Sequence, residues 1–108
     1  MANRKEETDL QTNIRLALSK AGCTIFRANV GLFYTKDGRL VRTGLPKGFS
    51  DTFGTIDGTG QSFYIEIKTP VGKASKEQKQ FIAQMQLIGA KAGFARTVED
   101  ALNIVGRK

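Results

Sequence analysis

Ser62-Phe63-Tyr64-Ile65-Glu66-Ile67-Lys68-Thr69-Pro70 alternates apolar and polar side chains and stops at a residue that cannot extend a hydrogen-bonded ladder. Successive side chains of a strand point to opposite faces. Phe63, Ile65 and Ile67 therefore form one row, and Tyr64, Glu66 and Lys68 the other. The apolar row needs a helix to cover it. The polar row sets a carboxylate beside an ammonium, just before a Pro-Val-Gly loop. That arrangement is either an ion pair on a solvated sheet face or the beginning of a site.

Upstream, Asp57-Gly58-Thr59-Gly60 has the chemistry of a hairpin turn, which predicts strands over 51–56 and 62–69. Downstream, Ser75 is placed to cap a helix that runs to Leu87 or Ile88 and stops at Gly89, with Phe81, Ile82, Met85 and Ile88 as its apolar stripe. A short strand over 93–97 and a helix over 99–105 follow. At the front, Leu10, Ile14, Ala17, Leu18 and Ala21 recur at helical spacing, predicting a helix over 6–20 that Gly22 ends. Residues 23–30 suit a strand, and Lys36-Asp37-Gly38-Arg39 reads as a hairpin tip with Leu40-Val41 returning. The order is one helix, three or four strands, a helix, a strand and a last helix. This is an α/β chain whose central mixed sheet is flanked by helices, and the final strand is expected beside the one ending at Lys68 through a right-handed helical crossover.

A chain of 108 residues makes one domain, expected over 1–108, that buries roughly two-thirds of its unfolded surface. Lys and Arg number 17 against 10 Asp and Glu, and the resulting charge of +7 favours a polyanionic partner, nucleic acid first. Histidine is absent, so an imidazole base, nucleophile or metal ligand is excluded. The lone Cys23 can form no internal disulfide or cysteine-rich zinc site and reads as a small buried strand residue. Met1-Ala2-Asn3-Arg4-Lys5-Glu6-Glu7 lacks the apolar core of a secretory leader, and no apolar run approaches about 18 residues. A soluble, cytoplasmic protein without a small-molecule cofactor is expected.

Hairpin pairing brings Asp51, at the outer end of its strand, near Glu66 and Lys68. Asp51 alone could be a turn residue at a strand entry. Two facing carboxylates, however, repel unless a cation neutralises them, and oxygen ligands without histidine or cysteine select Mg²⁺ or Mn²⁺. On the first helix Glu7 lies about 35° from the centre of the apolar stripe and Glu6 about 65°, so Glu7 is better placed to reach inward. It could equally be a first-turn acid favoured by the helix dipole. Gln78 falls inside the apolar arc of the later helix, where it either is an ordinary satisfied amide or orients a site residue.

The ordered set Gly48-x-x-Asp51, fourteen residues, Glu66-x-Lys68, then Ser75-x-x-Gln78 and a helix ending at Gly89, resembles the PD-(D/E)XK nuclease superfamily. More closely it resembles the VRR-NUC group, whose opening helix is similar to Glu7-x-x-Leu10-Gln11. The resemblance runs from about Glu6 to Val105 and implies a restriction-endonuclease-like αβββαβ core plus a C-terminal helix. It implies Asp51, Glu66 and the Ile67 carbonyl as metal ligands and Lys68 as the catalytic lysine. Glu7 becomes an accessory acid, reaching the metal through water, and Gln78 the helix-borne polar member. Ser50 departs from the proline many members carry before the aspartate.

By the same resemblance the expected activity is Mg²⁺- or Mn²⁺-dependent hydrolysis of DNA, by a stand-alone viral (phage) type of domain acting as a homodimer on four-way (Holliday) junctions. The alternatives are flap cleavage or nicking, or a non-catalytic basic DNA-binding module. Arg27, Lys36, Arg39, Arg42, Lys47, Lys73, Lys76 and Lys79 either track phosphates or are a solvated charged face; Arg27, Arg42, Lys47, Lys73 and Lys76 are the leading DNA contacts. No base-reading motif is present, so shape rather than sequence should be read. Leu32-Phe33-Tyr34 is either a surface for the second subunit or part of the core.

Overall fold

The computed structural model describes residues 4–107. Met1, Ala2 and Asn3, the start of the stretch read as lacking a leader, lie outside the described residues, as does Lys108. Helix α1 (Arg4–Lys20) leads into β1 (Cys23–Arg27), the hairpin β2 (Leu32–Tyr34) and β3 (Leu40–Arg42), and the strand pair β4 (Thr52–Ile56) and β5 (Ser62–Ile67). Helix α2 (Lys76–Leu87), strand β6 (Lys91–Ala95) and helix α3 (Val98–Ile104) complete the chain. No helix among the described residues is long and apolar enough to cross a membrane.

The main sheet has the order β1-β4-β5-β6, and β2-β3 form a separate two-stranded sheet. Pairings β1–β4 and β4–β5 are antiparallel, while β6 runs parallel to β5 after the α2 crossover. The αβββαβ core that the resemblance implies is thus present, with the small hairpin inserted after its first strand.

The alternation in β5 fixes the layers. Phe63 and Ile65 are fully buried and join Ile14 and Leu18 of α1, Cys23 and Ile56 of the sheet, Ala101 of α3, and Val105 in one core. Burying each such large side chain contributes roughly 1.5–3 kcal/mol. On the other face Tyr64 meets Phe81 of α2 edge-to-face at 5.6 Å between ring centroids, and Phe49 lies 4.7 Å from Phe81. Two helices therefore cover one face and α2 the other. Gly54 sits where β1 and β4 press together: a Cβ there would run into the Thr24 carbonyl oxygen and approach the Phe63 ring.

Several boundaries differ from expectation. The first strand ends at Arg27 rather than 30, because after the bond from Ala28 N–H to the Asp51 carbonyl (2.8 Å) the chain leaves for the hairpin. The last strand spans Lys91–Ala95 rather than 93–97, since Thr97 is recruited as the cap of α3, accepting from Asp100 N–H. Ile88 does not join the α2 stripe. It is the C-cap residue and stays 64% exposed. Leu32, Phe33 and Tyr34 are not core, being 54%, 51% and 73% exposed on a hairpin that no helix covers.

Candidate active site

Extending the β4–β5 register by one step past Thr52↔Ile65 sets Asp51 opposite Glu66. The Asp51 side chain bends along the partner strand, and its Oδ2 accepts the backbone N–H of Ile67 at 3.0 Å. Two hydroxyls brace this corner: Ser50 Oγ donates to the Thr52 carbonyl and Thr52 Oγ1 to the Ile65 carbonyl, each at 2.8 Å. Gly48, with φ of +92°, lets the preceding loop rest on α2, where a Cβ would come within 2.5 Å of the Glu77 carbonyl oxygen. The start of β4 is thereby anchored from both sides.

Glu66 is the anomaly. It is only 1% exposed, and neither carboxylate oxygen has a hydrogen-bond partner. Burial first, and then the neighbouring Asp51 carboxylate, push its carboxyl up to about 9, against a smaller opposing pull from Lys68. Two ionised carboxylates cannot hydrogen-bond each other; with a proton on Glu66 the pair can. Without that proton, a buried charge facing a second negative charge is unstable unless a cation takes the place of the proton.

Beside Asp51 opens a pocket of about 330 Å³, lined by Glu7, Leu10 and Gln11 of α1, by Asp51, Ile67 and Lys68, and by Thr69, Gly72 and Lys73 of the following loop; Glu66 lies buried next to Asp51 and does not line it. The start of α1 thus faces the exit of β5 across a polar cleft.

Among solved structures, a chain described as a "VRR_NUC domain" superposes with a TM-score of 0.64 over 92% of each chain, at 14% sequence identity. The fold is that of a VRR_NUC domain. No family model matches the sequence, and no curated protein matches it.

Within this VRR_NUC fold, Asp51, Ile67 and Lys68 line the pocket with Glu7 of α1, and Glu66 sits buried opposite Asp51 by the strand register. Among the described residues no three acidic or thiol groups cluster closely enough to hold a metal, so Asp51 and Glu66 stand as a pair and Glu7 remains apart from them. Gln78 is placed elsewhere: its side-chain oxygen accepts Ser75 N–H at 2.9 Å while its own N–H donates to Ser75 Oγ at 3.1 Å, a reciprocal cap at the start of α2. It does not line the pocket.

Lys73 lines the pocket, Arg27 and Asp51 line an adjoining groove, and Arg42 and Lys47 lie beside the hairpin. Lys76 is exposed in the first turn of α2. Lys47 pairs with Glu77 at 3.8 Å; Arg27, Arg42, Lys73 and Lys76 make no ion pair among the described residues.

Arg96 is a contributor that the sequence does not announce. Its guanidinium donates to the carbonyls of Thr69 (2.5 Å) and Gly72 (2.7 Å), pinning the loop that walls the pocket. A single arginine after a short strand has no local pattern, and only the parallel pairing of β6 with β5 brings it there.

Proposed function

We propose that the chain is a divalent-metal-dependent endodeoxyribonuclease acting on structured DNA, four-way junctions foremost, as a homodimer. The observation that carries the reading is Glu66: a buried carboxylate with both oxygens unpartnered, across from Asp51 and two residues before Lys68. Structural ion pairs satisfy their oxygens, and this one does not. Its donors fit a hard cation, since only oxygens are offered and no imidazole or thiolate lies near.

Asp51 and Glu66 would hold Mg²⁺ or Mn²⁺, with the Ile67 carbonyl as a third ligand and Glu7 reaching in through water. Such an ion, when bound, supplies Lewis-acid polarisation of a phosphate oxygen and a more acidic water. The chain's own residues do the rest. The Lys68 ammonium donates to a non-bridging phosphate oxygen or holds the attacking water, an electrostatic contact of a kind worth about 3–4 kcal/mol in kcat. Lys73, which also lines the pocket, binds a flanking phosphate. A water oxygen attacks phosphorus in line and gives up a proton to solvent, the bond to O3′ breaks, and O3′ takes up a proton from water, leaving a 3′-hydroxyl and a 5′-phosphate. Gln78 acts as a positioning residue: it caps α2, on which Gly48 and the loop to Asp51 rest.

The net charge of +7 and the unpaired Arg27, Arg42, Lys73 and Lys76 suit a phosphate backbone. A homodimer through the exposed hairpin would offer two sites to a two-fold junction. The test is cleavage of labelled four-way, flap, single-stranded and linear duplex DNA with Mg²⁺ or Mn²⁺, beside Lys68→Ala. Preferential junction cutting, lost in Lys68→Ala with unchanged thermal stability, is expected. Chelator-insensitive binding with no cutting of any substrate would leave a basic DNA-binding module instead.

A further inference from the structure

The groove beside the catalytic pocket has about 480 Å³ of space and shares Asp51 with it as a common wall. Its other sides are Arg27 at the end of β1, Asn29, Phe33 of β2 and Thr43 after β3. Its floor is fixed by reciprocal bonds at the hairpin base: Thr43 N–H donates to the Gly31 carbonyl at 3.0 Å, and Gly31 N–H to Thr43 Oγ1 at 3.2 Å.

Two side chains of this groove are free. Phe26, Phe49, Phe53, Tyr64 and Phe81 form a continuous series of ring contacts, but Phe33 makes none among the described residues and stays 51% exposed. Arg27 is exposed and unpaired. The β2–β3 register also separates two faces. Phe33 and Val41 share one, while Leu32, Tyr34, Leu40 and Arg42 share the other. An exposed aromatic face, an unpaired guanidinium and a polar floor next to the candidate scissile position match a nucleobase and its phosphate: bases stack on aromatic rings in a sequence-tolerant way, and arginine takes the charge. A continuous duplex keeps its bases stacked inside and offers nothing to Phe33.

We propose that this groove is a subsite for one unstacked nucleotide adjoining the phosphate to be cut, its base on Phe33 and its phosphate on Arg27. The inference rests on the nuclease reading and narrows it: the substrate is DNA in which a nucleotide is already displaced from the helical stack, as at a branch or a gap.

The test is binding of branched DNA carrying 2-aminopurine at the branch, in EDTA, against a continuous duplex of equal length. Wild type should change the 2-aminopurine emission on binding. Phe33→Ala should lose that change and weaken branched-DNA binding by about five- to 150-fold, the range expected for one stacked base, with duplex affinity unaltered. Phe33→Tyr should restore both, and Arg27→Gln should weaken binding while keeping the emission change. A wild-type emission change and affinity in Phe33→Ala would overturn the subsite. A Phe33-dependent emission change in a protein that cuts no DNA with Mg²⁺ or Mn²⁺ would sustain the subsite and overturn the nuclease reading.

Discussion

Replacing Glu66 by glutamine should stabilise the metal-free protein at neutral pH and leave it unchanged in acid. Burial and the facing Asp51 raise the Glu66 carboxyl from 4.5 to about 9. The native state therefore keeps a proton that the unfolded chain releases near 4.5, and between those values it binds more protons than the unfolded state. Stability falls as pH rises through that window and levels off above it. From 4.5 to pH 7 the cost amounts to up to roughly 3 kcal/mol at about 1.36 kcal/mol per pH unit. Glutamine has the shape of the protonated acid and can donate its N–H to Asp51, but it never ionises. In EDTA at pH 7 the Glu66→Gln variant should thus melt on the order of 10 °C above wild type, and the two should converge near pH 4.5. Excess Mn²⁺ should raise the wild-type midpoint, by about 2.7 kcal/mol of stability at a hundredfold excess over Kd, and not the variant's. Thermal melts from pH 4 to 9, with and without metal, make the measurement. A wild type whose stability is flat between pH 5 and 8 in EDTA, or a Gln variant less stable at every pH, would refute the argument that Glu66 is held as an unsatisfied buried acid.

Three further outcomes are expected. Gly54→Ala forces a methyl group into the Thr24 carbonyl and the Phe63 ring, so a loss of about 3 kcal/mol or more should appear in urea unfolding. Gln78→Ala removes half of the reciprocal α2 cap and should cost about 1 kcal/mol, while Gln78→Glu, which can make the same cap, should recover both stability and cleavage. A stable but inactive Gln78→Glu would mean that the carboxamide itself acts on the substrate. Arg96→Met frees the Thr69 and Gly72 carbonyls, so faster amide exchange at 69–73 should accompany a raised KM for DNA, with a larger relative change in KM than in kcat.

Local chemistry in this chain made the layer pattern legible without coordinates. Alternation over 62–68 sorted Phe63, Ile65 and Ile67 to a covered face, Pro70 ended the strand, and Asp57-Gly58-Thr59-Gly60 implied the hairpin that carries Asp51 back toward Glu66. These signals are read within a few residues, where period-two patterning and turn stereochemistry act directly. The missing histidine likewise removed whole classes of mechanism. Burial is different, because it depends on what packs against a residue from far along the chain. Glu66, on a row that could have faced water, loses access only when β4, β6 and α2 pack around β5. Gln78 sits on the apolar arc of its helix, yet its carboxamide turns back to Ser75, because a side chain three residues into a helix reaches the free backbone N–H groups at the start. Leu32 and Phe33, apolar enough for a core, remain in solvent since the hairpin leaves the sheet and no helix follows it. Residue order dictated which groups could meet at the end of β5; the three-dimensional packing alone determined which of them lost their water, and a carboxylate stripped of water and left without a donor is what gives this corner its chemistry.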